Sequence, residues 1–297
     1  MLQWQRGIFL AVAIVVILGT LVFPPLDRRL QLALLGGMVL LMGAPHGALD
    51  PIYVRAFDGV SSVWGWTVFG VFYVLLSLCV ILIWRVSPFV FSIAFLAISA
   101  VHFSGDPPPG VSAWTRVTYG VAVLALPALF HRHEVEEIFA MLIGPEPAGL
   151  VGAGLGALAP ACVVAAFVSM MAEARENPSA ALEIGVVCGL MTVAPPLVAF
   201  AVFFCGMHSP RHFIRTINLI GGLTYKRAFQ VSLWLTFAVA GGGVIGFAAD
   251  SSVSVDSRLA EAIFIGLAAL TLPHMIVVER LRFGYRWPNM KIGRLRS

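Results

Sequence analysis

Residues 64–84 read WGWTVFGVFYVLLSLCVILIW, an apolar run without a charged residue. A helix needs about 20 such residues to cross the hydrocarbon of a bilayer, and only helices and closed barrels satisfy their backbone groups there. The run is continuous rather than alternating, which predicts a membrane-spanning helix and not a barrel strand. Residues 64–84 therefore indicate an integral membrane protein.

The remainder of the chain has the same apolar character. Of its 297 residues, 59% are hydrophobic and 11% are charged, and the mean hydropathy is +0.93. A soluble domain carries about 25% charged residues, so this composition indicates lipid as the main solvent. We predict an all-α fold, a polytopic bundle of about eight to nine transmembrane helices, in which residues 1–297 form a single domain. The further spans are predicted near 7–23, 30–49, 88–105, 112–130, 149–172, 181–206, 228–249 and 259–278.

The distribution of charge predicts an orientation and gives no support to nucleic acid as a partner. The net charge is +4, and the basic residues lie in short loops and in the C-terminal tail rather than in one patch. Loops rich in Lys and Arg face the cytoplasm, so nine spans place the C-terminus in the cytoplasm and the N-terminus outside the plasma membrane. The segment 131–148, with His131 and His133, is predicted to be a solvated polar loop.

Two predicted spans end in the same pattern, His-x-x-x-Asp-Pro. The sequences are GAPHGALDP at 43–51 and AVHFSGDP at 100–107. A spacing of four places Asp50 on the helix face of His46, and Asp106 on the face of His102. A carboxylate in that position can accept the second ring N–H of a metal-bound imidazole.

A third motif, HSPRH at 208–212, follows the seventh predicted span. On a continuous helix His208 and His212 share one face. Alternatively, Ser209 and Pro210 begin a new helix as N-cap and first residue, with His208 just outside it. Either arrangement allows the two histidines to converge on one ion.

Ionisable residues at membrane depth are costly, so these histidines are candidates for function. Four imidazoles would suit a divalent iron, zinc or copper ion, and the pattern does not choose among them. The simpler interpretation of each is a hydrogen-bonding residue at a helix end, with Arg211 and Arg215 as ordinary loop charges. His274, in LPH at 272–274, lies well inside the last span and suggests a substrate-pocket residue, a residue behind a ligand or a packed core residue.

Together the motifs resemble those of the Brp/Blh family of membrane-integral β-carotene 15,15′-dioxygenases. The resemblance rests on PHGALD at 45–50, VHFSGD at 101–106, HSPRH at 208–212 and LPH at 272–274, in this order along nearly the whole chain. It implies an Fe(II)-dependent dioxygenase that cleaves the central double bond of β-carotene with O2 into two molecules of all-trans-retinal. Such retinal commonly serves a rhodopsin of the same cell.

The resemblance also implies roles for individual residues. The catalytic iron ligands carry over to His46, His102, His208 and His212, with Asp50 and Asp106 as orienting groups behind them. A substrate dissolved in the lipid bilayer needs an apolar pocket, because no water lies on its path. The candidates for this pocket are His274, Phe103, Tyr119, Phe203, Phe204 and Phe213.

Two other functions compete with this one. A membrane di-iron hydroxylase or desaturase would need more histidine boxes of the HxxxH type than the one at 208–212. A transporter or proton-conducting protein would use the buried His and Asp residues as an ion relay.

The nine-span count also conflicts with a shared metal site, because it places the histidine motifs at different depths in the membrane. It places the first two histidine motifs near one membrane face and HSPRH near the other, too far apart for one ion. Either the site lies at mid-depth, or the count is wrong around the span 181–206. Pro195 and Pro196 can break that span, since proline removes a helix hydrogen bond.

Overall fold

The computed structural model describes residues 1–43, 47–220, 225–249 and 253–282, and all regular structure in these ranges is helical. This confirms the all-α prediction. The helices are α1 (Leu2–Val22), α2 (Arg28–Met38), α3 (Asp50–Asp58), α4 (Val63–Val86), α5 (Pro88–Phe103), α6 (Ala113–Ala125), α7 (Pro127–Phe130), α8 (Arg132–Ile143), α9 (Pro145–Glu176), α10 (Pro178–Val193), α11 (Pro196–Phe203), α12 (Ser209–Ile220), α13 (Tyr225–Ala249) and α14 (Val255–Arg282). Two π-helical turns, π1 (Val39–Gly43) and π2 (Phe204–His208), follow α2 and α11.

Six helical segments in the described ranges are long and apolar enough to cross a membrane. They are Leu2–Val22, Val63–Val86, Pro145–Glu176, Pro196–Ile220, Ala228–Ala248 and Val255–Val278, and α5 and α10 are shorter apolar helices. Most side chains of α4 and α13 are not buried by the rest of the protein, as expected for helices in contact with lipid. The segment 196–220 is mostly buried and forms the centre of the bundle.

The seventh predicted span is broken in the structure, and its predicted end at residue 206 is wrong. Ala194 is extended, with φ −83° and ψ 149°, because a residue before proline is pushed out of the helical region. α11 then begins at Pro196, a favourable first position since proline has no N–H to leave unpaired. Through π2 and α12 the helix continues to Ile220, so HSPRH lies inside a helical segment of 25 residues, long and apolar enough to cross a membrane, and not in a loop.

The helix is continuous through HSPRH, which decides between the two interpretations of this motif. Ser209 has helical angles, φ −65° and ψ −49°, and does not stand outside the helix as an N-cap would. Its hydroxyl donates to the backbone carbonyl oxygens of Met42 and Gly43 in π1. The two π-helical turns therefore contact each other. Such turns are rare and occur often at functional sites.

The prediction of a solvated loop at 131–148 is wrong for most of that segment. α8 is amphipathic, with Val135, Ile138, Phe139 and Leu142 at the spacing of one helix face, packed towards the protein. The acidic residues that suggested a loop occupy the other face. His133 is exposed as predicted, whereas the ring of His131 is mostly buried and contacts the carbonyl oxygen of Val193 at 3.1 Å.

Candidate metal centre and cavity

Four histidine rings from three helical segments lie together inside the bundle, and His208 and His212 belong to the same segment. The ring centre of His102, at the end of α5, is 4.6 Å from that of His208 and 5.4 Å from that of His274. The ring centres of His274, in α14, and His212, in α12, are 5.0 Å apart. The structure thus brings together three of the four predicted ligands, His102, His208 and His212. His46 lies outside the described residues, so its role stays a prediction.

Each aspartate of the His-x-x-x-Asp-Pro motifs contacts a histidine from a distant part of the chain. Asp106 has both carboxylate oxygens 3.0 Å from Nδ1 of His208. Asp50 has Oδ1 2.8 Å from Nδ1 of His274, and its Oδ2 accepts a hydrogen bond from the Tyr73 hydroxyl at 3.1 Å. The two aspartates therefore contact His208 and His274, partners that a helical spacing of four does not predict.

These contacts define which ring nitrogen could bind a metal ion. A carboxylate accepts, so Nδ1 of His208 and Nδ1 of His274 carry the proton and donate it. The lone pair is then on Nε2, the usual arrangement of an imidazole that binds a metal with a carboxylate behind it. The Nδ1 of His212 lies 3.4 Å from the Thr216 hydroxyl.

The spacing of the rings fits a shared ion. With a metal–nitrogen distance of roughly 2.1 Å, and the ring centre about 1.2 Å further out, two imidazoles on one ion have ring centres about 4.7 Å apart at a right angle and about 5.4 Å apart at a tetrahedral angle. The three observed spacings of 4.6, 5.0 and 5.4 Å agree with this range. Within the described part of the chain, no three His, Cys, Asp or Glu side chains already form a complete donor set.

The charges around the cluster also fit a divalent cation. Asp50 and Asp106 are buried, with 0% and 4% of their surface exposed. Buried carboxylates are destabilising unless paired, and two of them balance the charge of one divalent ion. The donor set and its charge therefore suit a divalent transition-metal ion.

A buried ion pair next to the histidine cluster contacts the backbone at Asp106, and it was not predicted from the sequence. Arg211 forms a bidentate pair with Glu183 of α10, with N–O distances of 2.6 and 2.7 Å, and neither side chain is more than 5% exposed. Arg211 also donates to the backbone carbonyl of Asp106 at 3.0 Å. Arg215 donates to the carbonyls of Gly105 and Asp106 at 2.9 and 2.8 Å. The interpretation of both arginines as ordinary loop charges is therefore wrong, because both hold the loop that carries Asp106.

An apolar cavity of about 120 Å³ leads to the cluster at His102. The polar side chains in its lining are Ser99, His102 and Thr271. The apolar lining consists of Phe95, Leu96, Phe103, Val123, Leu124, Pro127, Val135, Ile138, Phe139, Leu142, Leu155, Met191, Pro196, Leu197, Phe200, Phe204, Phe264 and Leu267.

The residues predicted for the pocket have different positions in the structure. Phe103 and Phe204 line the cavity. Phe203 and Tyr119 pack behind Phe103 in the core, and their pocket role stays a prediction. Phe213 packs against a separate small cluster around Leu49. His274 belongs to the histidine cluster described above.

The aromatic lining that sequence reasoning missed comes mainly from Phe95, Phe139, Phe200 and Phe264. These residues lie on four different helices, and Phe139 lies far in the sequence from every histidine motif. Only the amphipathic face of α8 could have been found beforehand, from the spacing of its apolar residues.

Fold and site together define an all-helical membrane protein with a buried imidazole–carboxylate centre at the end of an apolar cavity. The chain belongs to the β-carotene 15,15′-dioxygenase family, which matches residues 37–282 and confirms the resemblance seen in the motifs. It is 31% identical over 252 residues to the β-carotene 15,15′-dioxygenase of an uncultured marine bacterium, covering 82% of this chain and 90% of the relative. It is 28% identical over 279 residues to a probable β-carotene 15,15′-dioxygenase Blh of Halobacterium salinarum, covering 80% and 81%. No solved structure gives a significant match.

Proposed function

We propose that this chain is a carotenoid-cleaving oxygenase of the plasma membrane. It cleaves the central double bond of β-carotene with O2 into two molecules of all-trans-retinal, which a rhodopsin of the same cell can use. The observation that carries this proposal is the apolar cavity that leads to the histidine cluster. Membership of the family and the names of both relatives support the choice of substrate.

The cavity is suited to a hydrocarbon with a flat polyene chain. Phenylalanine rings such as Phe139 and Phe200 offer flat apolar surfaces, and few polar side chains interrupt the lining. A substrate that enters from lipid crosses no water, so the remaining task is to hold one particular double bond beside His102. An ion-conducting protein would instead need polar groups along its path.

Fe(II) is the ion that we propose for the centre, with His102, His208, His212 and, by its motif, His46 as ligands. Bound Fe(II) with neutral imidazole ligands supplies the redox chemistry that allows O2 to react with an alkene. Asp106 holds the proton on Nδ1 of His208 and so fixes the orientation of this ring.

The reaction balances without an external reductant. One carbon–carbon double bond breaks, and each of the two carbons takes one oxygen atom of O2 as an aldehyde carbonyl. The apolar side chains around His208, among them Phe103 and Phe204, limit the access of water to the centre.

The proposal is tested by expression in bacterial cells that accumulate β-carotene. We expect the orange colour to fade, with two molecules of retinal appearing for each β-carotene lost. Under 18O2, both products should carry label from the gas. His102→Ala should abolish cleavage, whereas His133→Ala, at an exposed position on α8, should cleave like the wild type. Unchanged colour in cells that contain folded, iron-loaded protein would refute the proposal.

A further inference from the structure

We infer that His274 is itself a ligand of the metal ion and not a residue of the substrate pocket. This inference rests on the metal centre of the proposed function. His274 is 2% exposed and lies in α14, far in the sequence from the other three motifs. Its ring contacts two of the predicted ligands, His102 and His212.

The position of the His274 ring is that of a ligand. Its centre is 5.4 Å from that of His102 and 5.0 Å from that of His212, both within the range for imidazoles on one ion. The rings meet edge to face, with interplanar angles of 85° and 66°. An ion bound by both His102 and His212 would therefore have His274 directly beside it.

The orientation of the ring supports the same role. Nδ1 donates to Asp50 at 2.8 Å, and Tyr73 holds the other oxygen of this carboxylate. His208 has the same arrangement with Asp106. Two buried imidazoles of the cluster thus have a carboxylate behind them, an arrangement that raises the basicity of the nitrogen facing a metal.

A pocket role explains these contacts less well. The cavity lining from α14 ends at Thr271, one helical turn before His274. A residue that only lined a hydrocarbon pocket would not need a fully buried aspartate, since an imidazole can donate to a neutral carbonyl at lower cost. A cation on the opposite side of the His274 ring would explain why a buried carboxylate lies next to this imidazole.

The test measures metal binding by the purified full-length protein in detergent. Fe(II) affinity is determined by competition with a chelator, and Co(II) serves as a spectroscopic probe of the ligand set. We expect His274→Ala to lower Fe(II) affinity by more than the roughly 10–100-fold typical when an orienting group is removed. The visible Co(II) bands should shift, and added imidazole should restore the wild-type spectrum. Asp50→Asn should show the smaller loss with little change in the bands.

His133→Ala is the matched control, because its side chain is 85% exposed and lies outside the cluster. If His274→Ala does not fold, His274→Gln preserves a hydrogen-bond donor to Asp50 while removing the imidazole nitrogen. Fe(II) affinity and Co(II) bands that stay as in the wild type in either folded variant would overturn the inference, as would a wild-type protein that binds neither metal. Metal binding that depends on His274 without carotene cleavage would instead refute only the proposed function.

Discussion

Removal of the Glu183 carboxylate should destabilise the protein more than removal of Glu183 and Arg211 together. Glu183→Met leaves the Arg211 guanidinium buried at 4% exposure without its two short contacts. In the double variant Glu183→Met/Arg211→Met, both charges are replaced by apolar side chains of similar length. The comparison therefore separates the cost of an unpaired buried charge from the loss of the pair.

The magnitudes follow from the burial of the pair. Breaking a buried ion pair costs about 3–5 kcal/mol, whereas replacing both members by apolar residues is often close to neutral. Arg211 also donates to the Asp106 carbonyl, so the double variant should still lose about 1 kcal/mol. We expect a coupling energy of at least about 2 kcal/mol between the two positions. The exposed pair Arg132–Glu136 is the control, with an expected coupling of about 0.3–0.5 kcal/mol.

The assay is reversible unfolding in mixed detergent micelles with increasing SDS, followed by circular dichroism for both double-mutant cycles. Fe(II) affinity is measured on the same samples. The double variant should recover stability relative to Glu183→Met, yet bind Fe(II) about 10–100-fold more weakly than the wild type, because Asp106 is less firmly held. Additive stability losses at Glu183 and Arg211, or wild-type Fe(II) affinity in the double variant, would contradict this account of the pair.

Three further predictions concern helix packing, the cavity and a surface ion pair. Gly120→Ala should destabilise the protein by at least about 1–3 kcal/mol in the same assay, because the new Cβ would lie 2.1 Å from the carbonyl oxygen of Ala100 in α5. Ser99→Phe should partly fill the cavity and lower kcat/KM for β-carotene at least about tenfold, with iron content unchanged. A hydrogen bond from Arg28 lowers the pKa of Glu137 below its ordinary value of 4.5, so this pair stabilises the protein above that pH and loses its effect as pH falls through the lowered pKa. Glu137→Gln should therefore cost under about 1 kcal/mol at pH 7, and the difference should vanish in acid.

Each of these predictions has a control or a contrary outcome. Gly70→Ala adds a methyl group in open space and should be neutral, so an equal effect at both glycines would rule out close packing as the cause. Ile93→Phe places the same aromatic ring on the exposed side of α5, and kcat/KM should not change there. A Glu137→Gln difference that grows below pH 4 would contradict the direction given for the pKa of Glu137.

The class of protein could be predicted because it depends on local composition. An uncharged run such as 64–84 needs no partner to indicate a membrane helix, and the structure has α4 at 63–86. The histidine motifs were also visible locally, and the structure brings His102, His208 and His212 together. The break at Pro195 was foreseen as a possibility for the same reason, since proline acts on its own helix.

The hydrogen-bond and ion-pair partners of the buried residues could not be predicted, because they depend on which helices become neighbours. A spacing of four suggested that Asp106 serves His102, yet the observed contact is with His208, 102 residues along the chain. Arg211 looked like a loop charge because its carboxylate partner lies on α10. α8 was predicted to be a loop because its charged residues are prominent in the sequence. The apolar residues on its other face line the cavity, and this contact is visible only in the structure.

Each of the two aspartates contacts a histidine from a distant part of the chain, and this has a consequence for the biogenesis of the protein. Asp50 is made early, and His274, its partner 224 residues later, belongs to the last described helix. During synthesis the carboxylate therefore enters the membrane long before its imidazole exists, with Tyr73 as its nearest early partner. Long-range contacts of this kind form late, because the intervening chain must be complete first. A nascent chain that stops before α14 contains the first three histidine motifs but lacks this pairing, so the proposed metal centre with His274 as a ligand is complete only once α14 has been made.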